Sequence, residues 1–72
     1  MKILNSFGLR IKYLRKDKKL SQEELAELSG LHRTYISSLE RGQRNPTLTT
    51  LALLSKGFNI TIDELLKELS FE

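Results

Sequence analysis

Apolar residues recur along this chain at spacings of three and four, the period of helices packed on one side, and nowhere alternate with polar residues over strand length. The pattern predicts an all-α fold of five helices. Phe7, Ile11 and Leu14 mark the buried face of a first helix over residues 6–18, with Tyr13 covering the edge of the core. Ser21 and Glu24 stand three apart before Leu25, so that the serine hydroxyl can accept from the Glu24 N–H while the glutamate reaches back to the Ser21 N–H. This box opens a second helix over 22–29, and Gly30 supplies the left-handed residue that ends it. A third helix over 33–40 buries Ile36 and Leu39. It starts after His32, a weaker cap than Ser, Thr or Asp, and stops before Gly42. Arg44, Asn45 and Pro46 form a loop, and Thr47 caps a fourth helix whose core face is Leu48, Leu51, Ala52 and Leu54, with Gly57 as its end. Thr61 and Glu64 repeat the capping-box spacing and open a fifth helix over 61–70.

A length of 72 residues sets one small domain, residues 1–72, with little surface to bury and a partner subunit as a second source of stability. The chain has no cysteine and one histidine, which removes disulfides and thiolate metal sites. No metal and no cofactor are expected. No grouping of Ser, His, Asp or paired carboxylates suggests an enzyme. The longest apolar stretch, 51–54, is far below a membrane span and nothing after Lys2 reads as a signal peptide, so a cytoplasmic protein is expected. Charge is placed unevenly. Residues 1–46 hold ten Lys or Arg against five acids, and residues 47–72 two against four, so the first part is suited to a polyanion.

The stretch 22–41, QEELAELSGLHRTYISSLER, combines these signals into a helix-turn-helix. Ala26 stands at the helix crossing, Gly30 makes the turn, and Leu25, Leu31, Ile36 and Leu39 form the buried set. The opposite face of the third helix then carries Arg33, Thr34, Ser37, Ser38 and Arg41, with no acid and no large aliphatic residue, as suits a helix in the major groove of duplex DNA. Over residues 5–70 the chain resembles the Cro/Xre-type helix-turn-helix family, the five-helix lambda-repressor-like fold. The wording LSQEELAELSGLHRTYISSLERGQRNPTLTTL is most like that of restriction-modification controller proteins, with phage repressors and antitoxin-type regulators as the alternatives.

The resemblance implies a transcription regulator that binds inverted-repeat operators as a homodimer, with RNA polymerase as a further partner. It places Arg33, Thr34, Ser37 and Ser38 at base edges, Arg33 suited to guanine, and Gln22, Tyr35, Arg41, Gln43, Arg44 and Asn45 at the DNA backbone. It also implies a partly buried ion pair between Arg15 and Glu40, which is structural. Ser29 stands where the family often has an apolar residue, so looser packing of the second helix on the third is expected there. Lys16, Lys18 and Lys19 read as a solvated helix end. Beyond Leu65, the residues Ile60, Ile62, Leu66, Leu69 and Phe71 exceed what one short helix can hide, which points to a dimer interface, unless Phe71 folds back on the first helix. The fold can also serve as a protein-interaction module; the acid-free basic face of the third helix argues against that reading.

Overall fold

Five helices carry the chain in a computed structural model that describes residues 1–71: α1 (Lys2–Asp17), α2 (Gln22–Ser29), α3 (Arg33–Glu40), α4 (Leu48–Phe58) and α5 (Ile62–Leu65). No strand occurs among the described residues. Every helix sends at least one side chain to a single core of Phe7, Ile11, Leu14, Leu25, Ile36, Leu39, Leu54, Phe58 and Leu65. Helix α1 packs on α3, α2 on both α3 and α4, and α4 on α5.

The middle of the molecule follows its local signals. The Ser21–Glu24 box forms in both directions, with Glu24 N donating to Ser21 Oγ at 3.0 Å and Ser21 N to Glu24 Oε1 at 2.8 Å. Gly30 takes the left-handed conformation at φ 80° and ends α2. His32 precedes α3 without any side-chain cap bond, as its weak capping ability leads one to expect.

Departures lie at the ends. Helix α1 begins at Lys2 and not at residue 6, because Ile3 and Leu4, both half-buried, extend the apolar stripe by another turn. It closes with Lys19 in the left-handed region, φ 59°, so that Leu20 N can donate to Arg15 O at 2.9 Å. Helix α4 passes through Gly57 and ends at Phe58, with Asn59 as the left-handed cap. Its inner face is Thr50, Leu54 and Phe58, whereas Leu48 is 73% exposed and Ala52 also faces out. Gly57 instead lets α4 approach α2: a Cβ there would lie 3.1 to 3.2 Å from Ser29. Ser29 is therefore tightly packed on its α4 side, and its Oγ accepts from Leu31 N at 3.2 Å. The fifth helix is one turn, not 61–70. Thr61 Oγ1 accepts from Glu64 N at 3.1 Å, but the reciprocal half of the expected box is missing, because the Glu64 carboxylate turns toward Arg10 at 3.9 Å.

Helix α1 also supplies two ties that its apolar pattern does not show. Arg10 Nη2 donates to Glu64 O at 2.6 Å, adding a strong bond to a carbonyl that otherwise accepts only a long one, 3.4 Å, from Lys67 N. The Arg10 guanidinium lies 5.9 Å from the centre of the Tyr13 ring, and Tyr13 is exposed instead of covering the core edge. Farther along, Arg15 Nε and Nη2 donate to the two Glu40 oxygens at 2.7 and 3.0 Å, while Nη1 donates to Leu20 O at 2.8 Å. The two side chains are 11% and 5% exposed. Hydrogen bonding to Glu40 raises the Arg15 pKa above its ordinary value, against burial, which lowers it. Since a raised base holds its stabilisation below its unfolded pKa and loses it as pH rises through the folded one, the Arg15 guanidinium keeps its charge through the neutral range and gives it up only in strong alkali.

Gly8 is where α1 crosses α3: a Cβ there would meet Leu39 O at 2.4 Å and Glu40 O at 2.7 Å, both backbone atoms that cannot swing aside. Gly8→Ala is expected to cost about 2–3 kcal/mol of unfolding free energy in urea melts, the range for overpacking at a close contact. Arg15→Met, which strands the Glu40 carboxylate, should cost about 3–5 kcal/mol in the same assay; a loss under about 1 kcal/mol would mean that the pair behaves as an exposed one.

Candidate nucleic-acid interface

Helix α3 has a buried and a free side. Ile36 and Leu39 are fully buried against the other helices, and this fixes which side chains can leave the molecule. Arg33 and Thr34, at the N-terminal end of α3, are exposed, and Ser37, one turn on, is half-buried at the rim of the same face. Ser38 does not belong with them. It is 6% exposed and its Oγ donates to Thr34 O at 2.8 Å, so its hydroxyl is spent inside the helix and the expectation of a base contact there is corrected.

The flanking residues form two small clusters. The Arg44 guanidinium stacks over the half-buried Tyr35 ring at 5.7 Å, which holds a long side chain beside the helix end instead of leaving it free in solvent. Arg41 Nη1 donates to Ser37 Oγ, and Arg41 Nε donates to Gln43 Oε1 at 3.2 Å. Both clusters depend on the turn at Gly42, φ 73°, where Gly42 N donates to Leu39 O and Gln43 N to Ser38 O, each at 3.0 Å. A Cβ on Gly42 would run into Asn5 Oδ1 at 2.0 Å, so both the conformation and the space call for glycine. Asn45 is exposed in the loop that follows.

Gln22, expected at the DNA backbone, is half-buried, and its Nε2 donates to Glu40 Oε1 at 3.1 Å. Glu40 thus accepts from α1 and α2 together. Nothing in the sequence pattern alone signals this bond, because Gln22 and Glu40 are 18 positions apart.

At the far end of the molecule Ile60, Ile62, Leu66 and Leu69 are half-buried, while Leu65 is wholly inside the core. Phe71 is 79% exposed. Leu66, Leu69 and Phe71 line an apolar groove of about 310 Å³ with Ile3, Leu4 and Phe7 of α1 and Leu51 of α4, so Phe71 lies beside α1 without being covered by it. Ser70 N donates to Ser6 Oγ at 3.0 Å and holds the chain in that position. Ile60 and Ile62 are not part of this groove. Among the described residues, no three His, Cys, Asp or Glu side chains gather as a metal site, and no helix is long and apolar enough to cross a membrane.

Comparison with known proteins agrees with this geometry. The helix-turn-helix family model matches residues 11–65. The control protein C.SmaI of Serratia marcescens is 62% identical over 47 residues, which cover 65% of this chain and 56% of that protein. The control protein C.MunI of Mycoplasma sp is 46% identical over 67 residues, or 92% of this chain and 90% of that one. Among solved structures, the restriction-modification controller C.AhdI from Aeromonas hydrophila superposes with a TM-score of 0.83 at 48% identity, covering 86% of this chain and 94% of the other. The controller C.Esp1396I, as a tetramer with its natural 35 base-pair operator, gives 0.80 at 39% identity, covering 93% and 99%. Solved variants of that controller alter an arginine, a threonine and a tyrosine that are consecutive in its chain, and the same tripeptide stands here as Arg33, Thr34 and Tyr35. The chain belongs to the Cro/Xre-type helix-turn-helix family, where it is similar to the controller proteins of restriction-modification systems.

Proposed function

We propose that this protein is a sequence-specific, duplex-DNA-binding transcription regulator, the controller of a restriction-modification system, acting as a homodimer on inverted-repeat operators in the cytoplasm. The observation that carries the reading is the free face of α3: Arg33 and Thr34 are exposed at one end of a helix whose reverse side is locked into the core. The operator complex of C.Esp1396I supports it.

Binding is the whole mechanism. Arg33 can offer two parallel N–H donors to guanine O6 and N7, and the Thr34 methyl can meet a thymine methyl, which together give base preference. Ser37, tied to Arg41, contributes at the rim of the base contacts. Arg41, Gln43, Arg44 and Asn45 follow the C-terminal end of α3, Arg44 reaches back over Tyr35, and together they supply phosphate contacts that fix the register of the helix on the duplex. The apolar groove lined by Leu66, Leu69 and Phe71 is covered by a second copy, with the half-buried Ile60 and Ile62, outside the groove, completing the interface. A two-fold dimer then presents two recognition helices about 34 Å apart, one turn of DNA. RNA polymerase at the same promoter is the further partner through which occupancy changes transcription.

Binding-site selection from a random duplex pool tests this reading directly, with an inverted repeat as the expected product. Recovery of no preferred sequence sinks it. Affinity should fall about 10³-fold or more between about 50 and 200 mM salt, as neutralised phosphates regain their counterions. Arg33→Ala is expected to flatten the preference at one base pair per half-site, a loss of about 1–3 kcal/mol in discrimination. Arg44→Ala should weaken selected and random duplexes by the same factor. Filter binding on both duplexes separates the two behaviours, and identical profiles for the two variants would remove the assigned division between reading and holding.

A further inference from the structure

The two ends of α3 are held very differently. At the N-terminal end His32 makes no side-chain cap bond, and Arg33 and Thr34 project free. At the C-terminal end Gly8 brings α1 against the Leu39 and Glu40 carbonyls, and the Glu40 carboxylate accepts from Arg15 Nε, Arg15 Nη2 and Gln22 Nε2. Arg15 ties α3 to α1. Gln22 makes the one side-chain hydrogen bond described between α2 and α3, and its own place is set by the Ser21–Glu24 box that starts α2. The amide is neutral, so it adds no charge to a carboxylate already paired; what it adds is direction.

From these contacts we infer that Gln22 is a positioning residue for the recognition helix. It fixes the angle at which α3 leaves α2, and so acts on operator specificity and not on general affinity for DNA. The lever is long. Seven steps of about 1.5 Å separate Glu40 from Arg33 by about 10.5 Å, so a tilt of about 5° displaces Arg33 by about 0.9 Å. That exceeds the roughly 0.5 Å within which a recognition constellation has to be held. Phosphate contacts from flexible Arg and Lys side chains absorb such a shift, whereas a bidentate contact from Arg33 does not.

The inference rests on the DNA-binding reading above, and the test keeps the two apart. Wild type and Gln22→Met, which keeps length and removes the donor, are titrated onto the duplex that wild type selects and onto random duplex, with Gln22→Leu as a second variant and thermal melts as the control for folding. Expected is a fall of about tenfold on the selected duplex with less than about twofold change on random duplex, and weakened preference at the bases facing Arg33 when selection is repeated. Equal falls on both duplexes would make Gln22 a phosphate contact or a stability residue and overturn the inference. So would an unchanged ratio. Wild type failing to select any duplex removes the functional reading itself, and this inference with it.

Discussion

The carboxylate of Glu40 is the point on which the placement of α3 depends. It sits in the last turn of α3, nearly without solvent, and receives two hydrogen bonds from Arg15 and one from Gln22. Withdrawing two charges from water is costly, and a pair of packed aliphatic side chains could hold the same helices together as well or better. What an aliphatic pair lacks is a preferred direction. A bidentate arginine–carboxylate contact has one, and it fixes how far α3 can roll or slide against α1. Gly8 works in the same place by a different means, since the absence of a side chain lets the α3 carbonyls come within reach of α1. Close approach and directed bonding thus coincide at one end of α3 and leave its other end to the solvent.

This arrangement sorts the basic residues by whether they have an internal partner. Arg10 is engaged with the end of α5 and Arg15 with Glu40, so two of the ten basic side chains in residues 1–46 are structural, and the charge of that segment overstates what faces outward. Lys16, Lys18 and Lys19 are exposed at the end of α1, where they complement the negative pole of the helix. Arg41 and Arg44 are intermediate, held by Ser37, Gln43 and Tyr35 but still exposed. Arg33 alone stands at the free end of α3 without any hydrogen bond or ion pair described for it, which is the condition a guanidinium needs if its donors are to meet a base edge.

How much of this the sequence foretold depends on the range of the interaction concerned. The bounds of α2 and α3 were legible because a capping box, two glycines and a stripe of Leu and Ile all act within a few residues. The start of α1 was missed although Ile3 and Leu4 continue its stripe, since Ser6 looked like a natural beginning. Gly57 was read as a terminator because glycine often is one; its true role depends on Ser29, which only the packing of α2 on α4 brings opposite. Leu48 and Ala52 share the helical face assigned from the spacing of apolar residues, yet the core takes Thr50 and Phe58 instead, because burial of a helix is set by its neighbours' direction and not by its own hydropathy. At the candidate site, Arg33 and Thr34 fall on the free face by periodicity alone. Ser38 defeats periodicity because a hydroxyl can serve itself from the carbonyl one turn back, and Gln22 because its partner is distant in the chain.

The apolar groove and the recognition loop share a wall. Asn45 and Pro46, which follow Arg44, line the same groove as Leu66, Leu69 and Phe71. Whatever fills that groove therefore touches the segment proposed to make phosphate contacts, so the proposed DNA-binding and subunit-binding ends are less separate than the linear order of the chain suggests. In a domain with nine buried apolar residues, seven of them fully so, and no cysteine, the loop after α3 has few restraints beyond its own turn and the Arg44–Tyr35 stack. Covering Pro46 and Leu51 would stiffen it, and stiffening a loop before DNA arrives lowers the ordering cost paid on binding. Under the proposed function, pairing of two copies would favour operator binding twice over, by placing two α3 helices on one duplex and by holding each Arg44 loop in one shape.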